Sequence, residues 1–282
     1  MRLRADTATG IVHYARLSVL GGLDVTHIAY DQRAVSRSLH DTYFVGVAEG
    51  SPHLLWARGR RWRVTEGLLV ALGPGEVHGM EQIGVGSWGY RSIYPSADQL
   101  LHIGSGPRRS PLDFRKPVVE DGEISRSLRC LHAGLLSASD YLHDADAAFA
   151  STLRLLVERH AVAESVPAIP GEHEAATRAR EFIHANYRQR IRIDTLAEHV
   201  GLSPYHLIRV FHGSIGIPPY TYVDELRVAK ARSLLSEGLS ISDAAYLTGF
   251  SDQSHLTRHF KRALGITPGV YCRSRRGRER AA

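Results

Sequence analysis

Cysteine and methionine occur only twice each in this 282-residue chain, and lysine three times. The two cysteines, Cys130 and Cys272, show neither metal-ligand spacing nor a disulfide framework. A stapled secreted scaffold is therefore excluded, and a reducing compartment fits. Long hydrophobic runs are missing too. No apolar stretch approaches the ~18 residues of a membrane span, and the opening MRLRADTATG has no signal-peptide core. The expectation is a cytoplasmic protein without a membrane partner. Lysine is confined to Lys116, Lys230 and Lys261, so nearly all positive charge is arginine; that bias carries no functional argument.

What is present is an ordinary globular composition, 43% hydrophobic and 23% charged, with room for two domains of the usual ~150 residues. The net charge of +6 is unevenly placed. Residues 1–170 hold 18 Arg and Lys against 18 Asp and Glu, whereas residues 171–282 hold 17 against 11. The whole excess therefore lies in the second part. A basic unit joined to a neutral one is the charge footprint of a DNA binder.

That basic part contains one motif written twice. HLIRVFHGSIGIPPYTY from His206 and HLTRHFKRALGITPGVY from His255 agree at eight of seventeen positions, including Leu207/Leu256, Arg209/Arg258, Phe211/Phe260 and Gly216/Gly265. Upstream, Ala197 pairs with Ala245 and Gly201 with Gly249, one residue out of step; the slip is expected where a turn meets a helix, between Ser203-Pro204 and Ser251-Asp252-Gln253. A duplicated helix-turn-helix would let one polypeptide grip two successive turns of duplex.

Between about Val12 and Ile93 the texture is short and strand-like, punctuated by glycine and proline, which suggests a sandwich or barrel. From Glu123 the period changes. Ile124, Leu128, Leu131 and Leu135 share one helix face, and a second helix is expected over 145–161, capped by Asp140 or Asp144. Pro167, Pro170 and Gly171 mark a linker at 166–174. Helices are then expected over 175–187, 193–200, 204–214, 218–236, 241–248 and 253–264. Asp194 and Ser240 or Ser242 are their candidate N-caps, and Gly201 and Gly249 their left-handed turn residues.

Residues 175–272 resemble the DNA-binding domain of AraC/XylS-family transcription regulators. The resemblance rests on Ile193-Asp194-Thr195-Leu196-Ala197, Gly201-Leu202-Ser203, Arg227, Leu234-Leu235, Ala244-Ala245, Gly249-Phe250-Ser251-Asp252 and Thr267-Pro268. It implies an α+β two-domain fold. The N-terminal part, 1–165, would be a cupin-like β-barrel (about 12–95) with following helices (about 123–161); the C-terminal part, 175–282, would be all-α, with two helix-turn-helix units joined by a long helix. Base readers in such units lie on the outer face of each second helix. This selects Tyr205, His206, Ile208 and Arg209 in the first unit and Gln253, Ser254, His255, Thr257 and Arg258 in the second. Arg can hold guanine bidentately and Gln can pair with adenine, so Arg209, Arg258 and Gln253 lead. Phosphate contact or bracing of the fold is the other reading of the repeated arginines, and packing or phosphate contact that of the two histidines.

The segment Gly67–His78, a strand running through Gly73-Pro74-Gly75 to His78, resembles the effector domain of the same family. His40, Tyr43, Glu49, Trp56, Arg58, His78, Trp88 and Arg91 are the expected effector-pocket residues, since aromatic walls with few polar groups suit a small organic ligand. Core packing is the competing reading for the tryptophans, and an exposed hairpin face for Arg58, Arg60, Arg61 and Arg63. His40 with a distant Glu49 does not assemble a metal-binding cupin set, so neither metal nor another cofactor is expected. Double-stranded DNA, a small-molecule effector and a second copy of the chain are the implied partners, with RNA polymerase if the protein is an activator. The leucines Leu128, Leu131, Leu135, Leu153 and Leu156 are expected at or near a homodimer interface. Two alternatives stay open: an N-terminal half used only for dimerisation or partner contact, and a cupin enzyme.

Overall fold

The computed structural model describes residues 12–17, 20, 22–30, 34–103, 112–136, 142–162, 172–264 and 267–279. Most of the expected linker, Asp140 and Gly265 lie outside the described residues. Two antiparallel sheets build the N-terminal part. One has six strands in the order β1 (Val12–Leu17), β2 (Leu23–Tyr30), β9 (Trp88–Tyr94), β4 (Phe44–Gly50), β7 (Leu69–Leu72) and β11 (Val118–Val119). The other has four: β3 (Ala34–Ser38), β8 (His78–Gln82), β5 (His53–Ala57) and β6 (Arg60–Val64). A two-stranded ribbon, β10 (Asp113–Phe114) with β12 (Ala161–Val162), and helix α1 (Ala97–Ile103) complete it.

The six-stranded sheet is buried on both faces, so its strands read as apolar runs rather than as alternation. Phe44, Ala48, Val70, Leu72, Trp88, Tyr90 and Tyr94 face the second sheet and pack with Leu55, Ala57, Val64 and Met80. Val45, Val47, Leu69, Ala71 and Ile93 face the other way, onto α2 (Gly122–Leu136) and α3 (Leu142–His160).

This arrangement corrects the dimer-interface expectation. Leu128, Leu131, Leu135, Leu153 and Leu156 are between 0 and 5% exposed, because both stripes pack on the chain's own sheet and leave no surface for a partner. Asp144, expected as a cap of α3, lies inside that helix.

The C-terminal part is helical: α4 (Glu172–Asn186), α5 (Ile193–Val200), α6 (Pro204–Ile215), α7 (Pro219–Ser236), α8 (Ile241–Leu247), α9 (Gln253–Leu264) and α10 (Pro268–Glu279). The 18-residue α7 is about 27 Å long and serves both units. Tyr222, Val223 and Leu226 pack on the first, Val228, Ala231 and Leu235 on the second.

Each helix-turn-helix is built by the same local chemistry. Gly201 (φ 73°) and Gly249 (φ 84°) end α5 and α8 in the left-handed region. A Cβ on Gly249 would lie 2.5 Å from the Arg188 carbonyl oxygen, so glycine is required there for space as well. Ser203 Oγ accepts from the His206 N–H at 3.3 Å, and Asp252 Oδ1 from the His255 N–H at 2.7 Å. Ser203 and Asp252 are thus equivalent caps, and the extra residue of the second copy falls between glycine and cap, slightly earlier than expected. Ser240 caps α8 through the Asp243 N–H. Asp194 does not cap α5: the N-cap position is Arg192, without a side-chain bond, and Asp194 sits in the first turn. The arginine-rich segment 273–278 lies within α10, which runs to Glu279.

The sheets and the helices pack against each other. Leu39, Val77 and Trp56 join the core of the first helix-turn-helix. Gly216, the left-handed C-cap of α6, lies against the Trp56 indole; a Cβ there would come within 1.4 Å of it. Tyr222 donates to the Gly75 carbonyl at 3.2 Å and pairs with His184 Nε2 at 2.8 Å.

Candidate nucleic-acid interface and effector site

On α6 the core takes Leu207, Val210 and Phe211, and on α9 Leu256 and Phe260. Helical periodicity then fixes what points out. Tyr205 is 81% exposed, and Arg209, Gln253, Ser254 and Arg258 are exposed with the sheets in place. His206, Ile208, His255 and Thr257 are half-buried. The His255 ring meets the edges of Phe250 and His259 at 5.2 and 4.7 Å, and its Nδ1 pairs with Ser251 Oγ at 3.2 Å, so part of that side chain is occupied with packing. All nine candidates therefore fall on the two second helices, in the first two turns where a groove-entering helix presents its readers.

Sequence reasoning missed two exposed neighbours. Lys261 lies one turn beyond Thr257 on α9, and Tyr246, 83% exposed, stands on α8, the helix that crosses the backbone in this motif. Extending the 3.6-residue period from Arg258 finds the first; no sequence signal marks the second.

The eight effector candidates are not brought together. His40, His78 and Trp88 lie in the inter-sheet space; Tyr43, Glu49 and Arg91 lie on the opposite face of the six-stranded sheet, under α2. Tyr43 donates to the Leu112 carbonyl at 2.8 Å, and burial pushes its hydroxyl up to about 12. Burial raises the Glu49 carboxyl, but Arg91 at 2.5 Å and His27 at 2.8 Å outweigh it and hold the group below its ordinary value. Arg58 is consumed at the sheet rim by Glu76, Asp113 and the Phe114 carbonyl, all within 3.1 Å. Trp56 faces outward onto Gly216.

Beside His40, His78 and Trp88, the inter-sheet space is lined by rings that sequence reasoning did not select: Tyr30, Phe44, His53, Tyr90 and Tyr94. His40 lies 5.0 Å from both His78 and Tyr94 and 5.9 Å from Phe44. Trp88 is stacked between Tyr30 at 4.5 Å and His53 at 4.6 Å, and His53 Nε2 bonds the Tyr90 hydroxyl. Burial depresses the pKa of His40, His53 and His78, His53 to about 4, so all three are neutral. Ser92, on the same strand face as Trp88, Tyr90 and Tyr94, is buried with no hydrogen-bond partner for its hydroxyl among the described residues. The parity of β9 was the usable signal: Trp88 implies Tyr90, Ser92 and Tyr94 on its face and Arg91 on the other. Among the described residues no three His, Cys, Asp or Glu side chains gather as a metal ion would need, and no helix is long and apolar enough to cross a membrane.

Comparison with known proteins agrees with both halves. The family model for an AraC-like ligand binding domain matches residues 20–156, and that for a helix-turn-helix domain matches 196–274. The HTH-type transcriptional regulator YbfI of Bacillus subtilis is 30% identical over 220 residues, 77% of this chain and 79% of that protein. The HTH-type transcriptional activator AarP of Providencia stuartii is 33% identical over 91 residues, 32% of this chain and 67% of that protein. Among solved structures, unsaturated fatty acid bound wild-type ToxT of Vibrio cholerae aligns with a TM-score of 0.53 at 14% identity, covering 98% of this chain and 99% of that one, which is a likeness of fold.

Proposed function

This chain belongs to the AraC family of transcription regulators, and from that premise we propose that it reads two successive major-groove segments with α6 and α9, under control of a small effector held between its sheets. The duplicated unit carries the first part. Two recognition helices, joined by α7, present exposed readers while the sheets are docked behind them. Arg209, Arg258 and Gln253 are the base readers of this proposal, with Tyr205, His206, Ile208, Ser254, His255 and Thr257 around them. The division into an effector unit before the 166–174 linker and a DNA reader after it belongs to the same reading.

The effector part rests on Ser92. A buried hydroxyl without a partner costs about 1–3 kcal/mol, and a polar ligand group would satisfy it. Its neighbours are aromatic rings and neutral histidines, which favour a small, uncharged, ring-bearing molecule. Two-fold pairing of the full chain is included on grounds of symmetry, through a surface other than the leucine stripes of α2 and α3.

Hydroxyl-radical footprinting of the full chain on a duplex selected from a random pool tests the DNA reading. The expected result is two protected segments roughly 34 Å apart; protection of a single groove segment overturns it.

A further inference from the structure

Arginines in the N-terminal part differ in how their charge is met. Arg58, Arg91 and Arg159 each hold a carboxylate within 3.1 Å. Arg60, Arg61 and Arg63, all exposed, have no carboxylate partner among the described residues. They lie on β6, the edge strand of the four-stranded sheet. Arg61 and Arg63 share one face of the strand, and Arg60 stands on the other with Trp62 and Val64.

The place of β6 shows what Arg61 and Arg63 lie beside. Arg58 (φ 54°) and Gly59 (φ 69°) form the left-handed turn of the β5–β6 hairpin. A Cβ on Gly59 would lie 3.4 Å from the Gly213 carbonyl oxygen in the last turn of α6. Trp56, whose indole covers Gly216 at the end of α6, is the cross-strand partner of Arg61, and Leu54 that of Arg63. Side chains directly opposite across an antiparallel pair stand about 5 Å apart on one face. Arg61 and Arg63 therefore project from the face that abuts the recognition helix, one strand beyond its C-terminal end. A helix seated in a groove ~12 Å wide is flanked by phosphates on both sides.

We propose that Arg61 and Arg63 form a second DNA contact, in which the N-terminal part holds the phosphate backbone beside the groove that α6 enters. It rests on the reading that α6 enters that groove. The contact positions and carries no sequence information of its own. It also makes the affinity depend on how the sheets are docked, since the hairpin and α6 bind one duplex together. Charged residues on an edge strand also deter strand pairing between molecules. That role alone would leave DNA binding untouched by their removal.

The test compares the full-length protein with its Arg61→Gln/Arg63→Gln variant on a duplex selected from a random pool and on a scrambled duplex of equal length. Expected are a loss of affinity by the same factor on both, and a plot of log K against log salt shallower by about 0.9 for each phosphate contact removed. An unchanged melting temperature would show that the hairpin is intact. Equal affinity and an unchanged slope overturn the proposal and leave edge protection as the role. Arg209→Ala, measured alongside, reports on the other reading: loss of preference for the selected duplex supports base reading by α6. An unaltered preference sinks base reading without touching the hairpin result.

Discussion

Arg232 of α7 donates to His40 Nδ1 at 3.1 Å, joining the helix that links the two DNA-reading units to the ring cluster between the sheets. The guanidinium is buried, lies 5.3 Å over the Tyr94 ring and approaches Asp41 at 3.8 Å. Burial opposes its charge, but Tyr271, Asp41, Asp24 and Tyr94 together hold its pKa above the ordinary value. Because arginine is always a donor, His40 must keep its proton on Nε2 and stay neutral. A ligand that displaced His40 or Tyr94 would thus be felt on α7 directly.

Arg232→Met keeps most of the volume and removes the donor. It should destabilise the full chain by about 2–3 kcal/mol, the worth of a hydrogen bond to a charged group, and leave Asp41 with Lys230 at 3.9 Å as its cationic partner. Calorimetry should show one cooperative transition in the parent and two in the variant, as sheets and helices melt apart. A single transition at an unchanged temperature would refute the coupling.

His53 and His132 are fully buried, and burial lowers each to about 4, against carbonyl bonds from Ser51 and Thr26 that act in the opposite sense. An unfolded histidine titrates near 6.5. Their neutral forms therefore stabilise the fold fully above pH 6.5, and this contribution is lost as pH falls from 6.5 towards 4. The loss is on the order of 2–3 kcal/mol per histidine. Denaturant melts across that window should show the decline, and His53→Gln should flatten it.

Glu225 behaves in the opposite sense. It is buried on α7; burial raises its carboxyl to about 7, with Arg262 lowering and Asp224 raising it further. A raised folded pKa means stability complete below about 4.5 and lost as pH rises through 7. Glu225→Gln should stabilise the protein at pH 8 by about 1–3 kcal/mol and change little at pH 4.5. Equal effects at both pH values would show that its charge is compensated.

How much of this was legible in the sequence differs by element. The ends of α5 and α9 were read to the residue, because apolar period and glycine turns are local signals. The effector site was half legible. Phe44 to Ala48 are all buried, so the run gives no clue to which side faces the second sheet. Tyr43 and Glu49 were therefore chosen where Phe44 and Ala48 face inward. Arg232 was invisible as a partner of His40, since 192 positions separate them and nothing local marks the pair.

Arg209→Ala and Arg258→Ala should each cost roughly 1–3 kcal/mol on a selected duplex and relax preference at one base pair. Competition binding against single-site operator variants checks this. An equal loss on every sequence, with a shallower salt slope, would reassign both arginines to phosphates.

Gly216 is the left-handed C-cap of α6, and its bare Cα also gives Trp56 its seat. At φ 95° an alanine is strained by roughly 1–2 kcal/mol whatever surrounds it. In the parent chain its methyl must also displace the indole, so Gly216→Ala should cost clearly more than that strain. With Trp56→Leu already in place the displaced ring is gone, and only the backbone strain should be left. The two substitutions should therefore couple by more than 1 kcal/mol in a double-mutant cycle, as residues in contact do, whereas independent sites add within about 0.5. Denaturant melts of the full chain give the four energies. Coupling would place the grip of the sheets on the end of the recognition helix itself; additivity would mean that α6 is held by its own unit alone.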